Sequence, residues 1–66
     1  MAGIHIPASA ILTLGNKLTI YIAENHQCPF RLTKTVDVIL MCEKDYDRNK
    51  DIIAPMISET TKILFI

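Results

Sequence analysis

The chain has 66 residues, of which 50% are hydrophobic, and its seven basic and seven acidic residues give a formal net charge of zero. This length excludes more than one domain, so we expect a single domain over residues 1–66. The balanced charge excludes a broad basic surface for nucleic acid, and no apolar run is long enough to cross a bilayer.

The first segment, residues 7–14 (PASAILTL), fits two local structures. As a helix, it has Pro7 in its first turn and Gly15 at its end. As a strand, AILTL pairs with KLTIYI across Gly15-Asn16 in a hairpin with a two-residue turn. We favour the helix, because Ala-Ser-Ala has a low propensity for strands.

The middle of the chain has the pattern of strands. In residues 17–23 (KLTIYIA), aliphatic residues alternate with Thr and Tyr, which predicts a strand. Residues 24–27 are polar and predict a turn, and residues 30–41 (FRLTKTVDVILM) are mostly β-like. A helix over 32–43 is the alternative, but its many β-branched residues disfavour it.

The last third of the chain predicts two more strands. Residues 43–51 (EKDYDRNKD) predict a charged loop, and residues 52–57 (IIAPMI) an edge strand or bulge, because proline cannot donate to a strand ladder. Residues 58–61 form a polar turn before a final strand, KILFI, at 62–66. The predicted fold is mainly β: a short N-terminal helix followed by a strongly bent, five-stranded antiparallel sheet that forms a small barrel.

This order of elements resembles that of the Sm and Sm-like proteins over nearly the whole chain. The segment ILTL with Gly15, followed by Leu18–Ile22, is similar to the Sm helix, its closing glycine and its first strand. Phe30-Arg31 resembles the aromatic-Arg pair that opens the second Sm strand, and Val36-Asp37 the start of the loop before the third. Residues 57–66 resemble the end of the fourth strand, a turn and the fifth strand.

The resemblance implies a non-catalytic subunit of a ring, in which the last strand of one subunit pairs with the fourth strand of the next. Such rings bind single-stranded RNA or scaffold ribonucleoproteins, including those of mRNA splicing. The base-clamping Asn of the family is replaced by apolar residues after Asp37, which favours a role in assembly over base readout. The expected RNA contacts are Arg31, Lys34, Asp37 and Lys62. The expected subunit interface consists of Ile52, Ile53, Met56, Ile57, Ile63, Leu64, Phe65 and Ile66.

No motif in the sequence predicts an enzyme, a metal site or a cofactor. Residues 45–51 have oxygen-bearing side chains at alternate positions, as calcium loops do, but Lys50 replaces the turn glycine and Met56 the bidentate Glu. His26 and Cys28, together with His5 and Cys42, lack the paired spacing of zinc ligands. His26 and Cys28 also have no third group to orient them as a catalytic pair.

A core this small cannot bury all of the hydrophobic residues, so we expect identical or homologous subunits as partners, joined by edge strands. The KILFI strand is the best candidate for this pairing. The N-terminus has no basic signal-peptide segment, so we expect an intracellular protein, nuclear or cytoplasmic, with Cys28 and Cys42 as free thiols. The alternative function is a small protein-binding inhibitor or a dimeric DNA-binding repressor. A ribbon-helix-helix repressor would have its ribbon at Ile4–Ile6 and helices at 8–24 and 32–46.

Overall fold

The computed structural model describes residues 9–66 and shows an open, four-stranded mixed sheet with one helical segment. The strands are β1 (Ser9–Leu14), β2 (Lys17–Ile22), β3 (Val38–Met41) and β4 (Lys62–Phe65), and they lie in the order β1-β2-β3-β4. Strands β1 and β2 are antiparallel, whereas β2 pairs with β3 and β3 with β4 in parallel. The sheet therefore has two edges, β1 and β4.

This architecture contradicts the predicted fold class of an N-terminal helix and a five-stranded antiparallel barrel. The predicted strand over 30–41 is a strand only at Val38–Met41, and residues 30–37 are irregular. A parallel pair needs a long connection, and residues 23–37 and 42–61 supply the two that this sheet requires. The predicted strands at 17–23 and 62–66 are confirmed as β2 and β4.

The first described segment forms a hairpin, so the favoured helix at 7–14 is wrong from Ser9 onward. Strand β1 pairs with β2 from Ser9–Ile22 to Leu14–Lys17, across the two-residue turn Gly15-Asn16. Gly15 has a φ of +62°, which suits the first position of a type II′ turn. Pairing with an apolar strand therefore outweighs the low strand propensity of Ala-Ser-Ala. The helix over 8–24 required by a ribbon-helix-helix repressor is likewise absent from 9–22, while Ile4–Ile6, His5 and Pro7 lie outside the described residues.

A helical segment replaces both the predicted loop at 43–51 and the predicted edge strand at 52–57. A 3₁₀ turn at Glu43–Asp45, helix α1 at Tyr46–Ile53 and a second 3₁₀ turn at Ala54–Met56 follow one another without a break. Pro55 lies in the first turn of the last element, where its missing N–H is not needed. Asp45, Asn49 and Ile53 recur every four residues on the buried side. Because two of these three residues are polar, the sequence does not show the apolar period of a helix.

The helical segment packs on one face of the sheet and forms the core with it. Strand register places Ile11, Ile20, Ile39 and Ile63 in one row across the four strands, on this helix-covered face. The aliphatic side chains of the central strands are removed from water here, and each fully buried side chain contributes roughly 1.5–3 kcal/mol to the stability of the fold. The buried core consists of Ile20, Ile22, Cys28, Val36, Ile39, Met41, Ile53 and Met56.

Two buried polar side chains of the helical segment hold the loop that follows β2. The Asp45 carboxylate accepts the backbone N–H of Asn25 at 2.9 Å, and the Asn49 carbonyl oxygen accepts that of Cys28 at 2.6 Å. The Asn49 amide also donates to the carbonyls of His26 at 3.3 Å and Asp45 at 3.0 Å. Within residues 9–66, no buried side-chain polar atom lacks a partner. These bonds fix the loop so that Cys28 enters the core.

Candidate functional site

Exposed apolar side chains are concentrated at the two edges of the sheet. Of the described residues, six large hydrophobic side chains are exposed, and all belong to β1, to β4 or to the residue directly after β4. The open face of the two central strands is better covered, since Thr19 is buried and Tyr21, Val38 and Leu40 are half-buried. The exposed set is Ile11, Leu12 and Leu14 at one edge and Leu64, Phe65 and Ile66 at the other.

Strand β4 has backbone groups at its outer edge that pair with no other strand in the described part of the chain. The N–H groups of Lys62 and Ile66 donate to the carbonyls of Asp37 at 3.0 Å and Met41 at 2.8 Å, so both face inward toward β3. In a strand, alternate residues direct their backbone groups to opposite sides. The N–H groups of Ile63 and Phe65 therefore point away from the sheet, where a further strand would pair.

The side chains of β4 are exposed on both faces of the sheet. Phe65 lies on the helix-covered face, where its ring meets that of Tyr46 edge to face with 6.1 Å between centroids. Leu64 lies on the opposite, open face, in register with Leu40. Each is nevertheless 48% exposed. Exposure on both faces arises because the strand is an edge, so an added strand would cover both side chains.

The structure separates the residues expected at a subunit interface into three groups. Ile53 and Met56 are fully buried in the core, and the edge strand predicted for 52–57 is not formed, so these two face no partner. Ile52, Ile57 and Ile63 are half-buried against the same core. The residues that remain accessible are Leu64, Phe65 and Ile66.

A cavity of about 390 Å³ lies at the end of the sheet where β2, β3 and β4 begin. It is lined by Lys17, Asp37, Val38, Thr60 and Lys62. The cavity thus brings together two of the four expected RNA contacts, Asp37 and Lys62. The other two, Arg31 and Lys34, are exposed in the irregular segment before β3 and do not line it. Lys17 was not predicted as a site residue from the sequence, because it reaches this cavity only when β2 lies beside β3.

Asp37, in the wall of this cavity, forms hydrogen bonds with the backbones of the two neighbouring strands. Its carboxylate accepts the backbone N–H of Leu18 at 2.7 Å, and its own N–H donates to the Leu18 carbonyl at 2.9 Å. Its carbonyl accepts the N–H of Lys62. Asp37 therefore ties the beginnings of β2, β3 and β4 together, which fixes the backbones that carry Lys17 and Lys62.

The basic side chains differ in their pairing. Lys44 meets Glu24 at 2.6 Å, while Arg48 and Lys50 lie 3.9 Å from Asp45 and Asp47. All three cations belong to the helical segment. The pairs of Lys44 and Lys50 are exposed and contribute little to stability, whereas Arg48 meets the buried carboxylate of Asp45. Among residues 9–66, the other four basic side chains form no ion pair: Lys17, Arg31, Lys34 and Lys62.

The two cysteines are free thiols in different surroundings. Cys28 is buried, and its Sγ donates to the Phe30 carbonyl at 3.5 Å. Burial raises the pKa of the Cys28 thiol above its ordinary value of 9.0, which opposes formation of the nucleophilic thiolate. The Cys28 thiol is therefore not placed as an activated nucleophile. Cys42 is half-buried where the helical segment begins.

Residues 9–66 contain no group of three or more His, Cys, Asp or Glu side chains that could hold a metal ion. No helix in this range is long and apolar enough to cross a membrane. No family model matches the chain, and no significant match is found to a curated protein or a solved structure.

Proposed function

We propose that the chain is a non-catalytic assembly subunit that joins a second copy of itself by pairing the two β4 edges. The observation that carries the proposal is the edge of β4, which pairs with no other strand of residues 9–66 and has apolar side chains half-exposed on both faces of the sheet. Unpaired backbone groups flanked by exposed apolar side chains are a template for strand addition, even in a strand of four residues. Lys62 is the only charged residue in β4, and it lies at the start of the strand.

A second copy suits this edge for reasons of symmetry and charge. Two β4 strands related by a twofold axis run antiparallel and form one continuous eight-stranded sheet. Such an interface is self-complementary and closed, so neither β4 remains exposed. The formal net charge of zero also means that two copies do not repel each other at long range.

The mutational test introduces one charge at the proposed interface and one elsewhere. Phe65→Asp places a carboxylate where the partner strand would cover the ring, and we expect the dimer dissociation constant to rise by at least 100-fold. Leu14→Asp is the matched control, since Leu14 is 63% exposed on the other edge strand. Sedimentation equilibrium measures the dissociation constants, and circular dichroism checks that both variants fold.

A backbone variant tests strand pairing itself. Phe65→Pro removes an N–H that faces away from β3, so intramolecular pairing is kept while pairing with a partner is lost. Phe65→Val, which keeps the N–H and a β-branched side chain, should dimerise more tightly than the proline variant. A wild-type chain that sediments as a folded monomer at all concentrations contradicts the proposal. Equal weakening by Leu14→Asp and Phe65→Asp contradicts the twofold β4 pairing.

A further inference from the structure

We propose that the cavity at the start of β2, β3 and β4 binds a phosphate group, with Lys17 and Lys62 as its charge partners. The phosphate belongs either to a free nucleotide or to a strand of RNA. This inference does not rest on assembly through β4, since the cavity is formed within one copy of the chain.

Strand register places the two lysines on one face of the sheet. Thr19, Val38 and Lys62 lie side by side on β2, β3 and β4. Lys17 precedes Thr19 by two residues and therefore projects to the same, open face. The two ammonium groups thus approach the cavity from the strands on either side of Val38. Neither lysine is neutralised by an ion pair within residues 9–66.

The charge of the lining favours an anion. Two lysines and one aspartate leave a formal charge of +1, and the aspartate is already hydrogen bonded to the Leu18 N–H. Lysine binds phosphate as a flexible point charge, and a phosphate group offers several acceptor oxygens for two ammonium groups. Thr60 adds a hydroxyl, which lies 3.1 Å from the Ser58 hydroxyl and is exposed at the cavity rim.

The volume shows that more than a phosphate can enter. Small-molecule sites are typically about 300–1,000 Å³, and this cavity of about 390 Å³ lies within that range. Val38 supplies an apolar wall against which a flat ring can pack. A nucleotide has both parts, a phosphate for the two lysines and an attached ring for Val38, and therefore fits this lining.

The experiment compares two double variants that remove the same charge. Lys17→Met with Lys62→Met removes the cations of the cavity, whereas Arg31→Met with Lys34→Met removes the two unpaired cations outside it. Calorimetry and backbone amide shifts are measured with inorganic phosphate, uridine, uridine monophosphate and oligouridylate. We expect the cavity variant to weaken binding of uridine monophosphate at least tenfold, and the control variant to change it less than twofold.

The arms separate the two sources of phosphate. Tight binding of the mononucleotide identifies a free nucleotide as the ligand, whereas tight binding of oligouridylate alone identifies RNA, provided that either depends on Lys17 and Lys62. Equal loss in both double variants indicates non-specific attraction and overturns the proposal, as does binding of uridine as tight as that of its monophosphate. The folded Phe65→Asp variant should bind as the wild type does, which keeps this test separate from that of assembly.

Discussion

The helix-covered face of the sheet and its open side differ in how far their apolar side chains are buried and their polar side chains are partnered. On the covered face, Ile39 is fully buried, and the polar side chains of Asp45 and Asn49 have hydrogen-bond partners. On the open side and the edges, apolar side chains such as Leu14 remain exposed, and Lys17 and Lys62 have no ion pair among residues 9–66. The first region therefore stabilises one chain, whereas the second is where we propose that a second copy and an anion bind.

The largest expected difference concerns deletion of aliphatic side chains in the two regions. Ile39→Ala leaves a cavity in the centre of the covered face, and we expect it to lower the free energy of unfolding by about 3 kcal/mol. Leu14→Ala removes a side chain that is 63% exposed, and the expected change is below about 0.5 kcal/mol. Urea denaturation, performed at a concentration where both variants are monomeric, measures the difference.

Similar losses in these two variants would mean that β1 is as well packed as the central strands. That result would remove the contrast between the covered face and the edge. Circular dichroism before denaturation shows whether Ile39→Ala still folds, and Ile39→Val, with an expected loss of about 1 kcal/mol, provides a milder version.

The second difference concerns polar groups on the helical segment. Asn49→Ala leaves the Cys28 N–H buried without its acceptor, and we expect a loss of about 2 kcal/mol. Lys50→Ala, at the next and exposed position of α1, should change stability by less than about 0.5 kcal/mol. Amide exchange in Asn49→Ala should also show lost protection at Cys28. Retained protection there would show that Asn49 does not hold the loop.

The third and smallest effect is a dependence of stability on alkaline pH. Because burial raises the folded-state pKa of Cys28 above 9.0, the protonated thiol is favoured by folding. This contribution is complete below the unfolded pKa and disappears as pH rises through the folded-state value. Stability should therefore fall more steeply above about pH 9 in the wild type than in Cys28→Ala.

Cys42→Ala, which leaves the buried Cys28 thiol in place, is the matched cysteine-to-alanine control for this effect. Lys44, whose pKa is raised by its hydrogen bond to Glu24, is present in all three proteins and does not affect the comparison. Unfolding free energies from pH 7 to pH 10 measure the slopes. Identical slopes in the two cysteine variants would place the Cys28 thiol in contact with water.

The sequence predicts the strands with alternating or uniformly apolar residues, and it fails where tertiary contacts decide. Strand β2 follows from its alternation, and β4 from the run KILF. The hairpin at Gly15-Asn16 was recognised as an alternative, but local propensity favoured a helix. The helical segment was not predicted because Asp45 and Asn49, which face the core, look like residues of a solvated loop. Their burial depends on backbone groups of the 24–29 loop, about 20 residues away.

The candidate sites were only partly predictable for the same reason. The apolar residues of β4 predict a strand, but its position at the edge of the sheet is established by the strand order. Lys17 and Lys62 line the same cavity because β2 and β4 lie on either side of β3. The alternation of residues within one strand does not show which strands are its neighbours. Ile53 and Met56 were expected at an interface because their apolar character alone does not distinguish an edge strand from the buried side of a helix.

The connectivity of the sheet also implies an order of folding. The β1–β2 hairpin closes across two residues and can form within about 10 μs, whereas each parallel pair must first close a long loop. Ile20 meets Ile39 across 19 positions, and Ile39 meets Ile63 across 24. Until β4 docks, the apolar strand VILM is itself an edge. The interval before docking is therefore when the chain is most prone to aggregate.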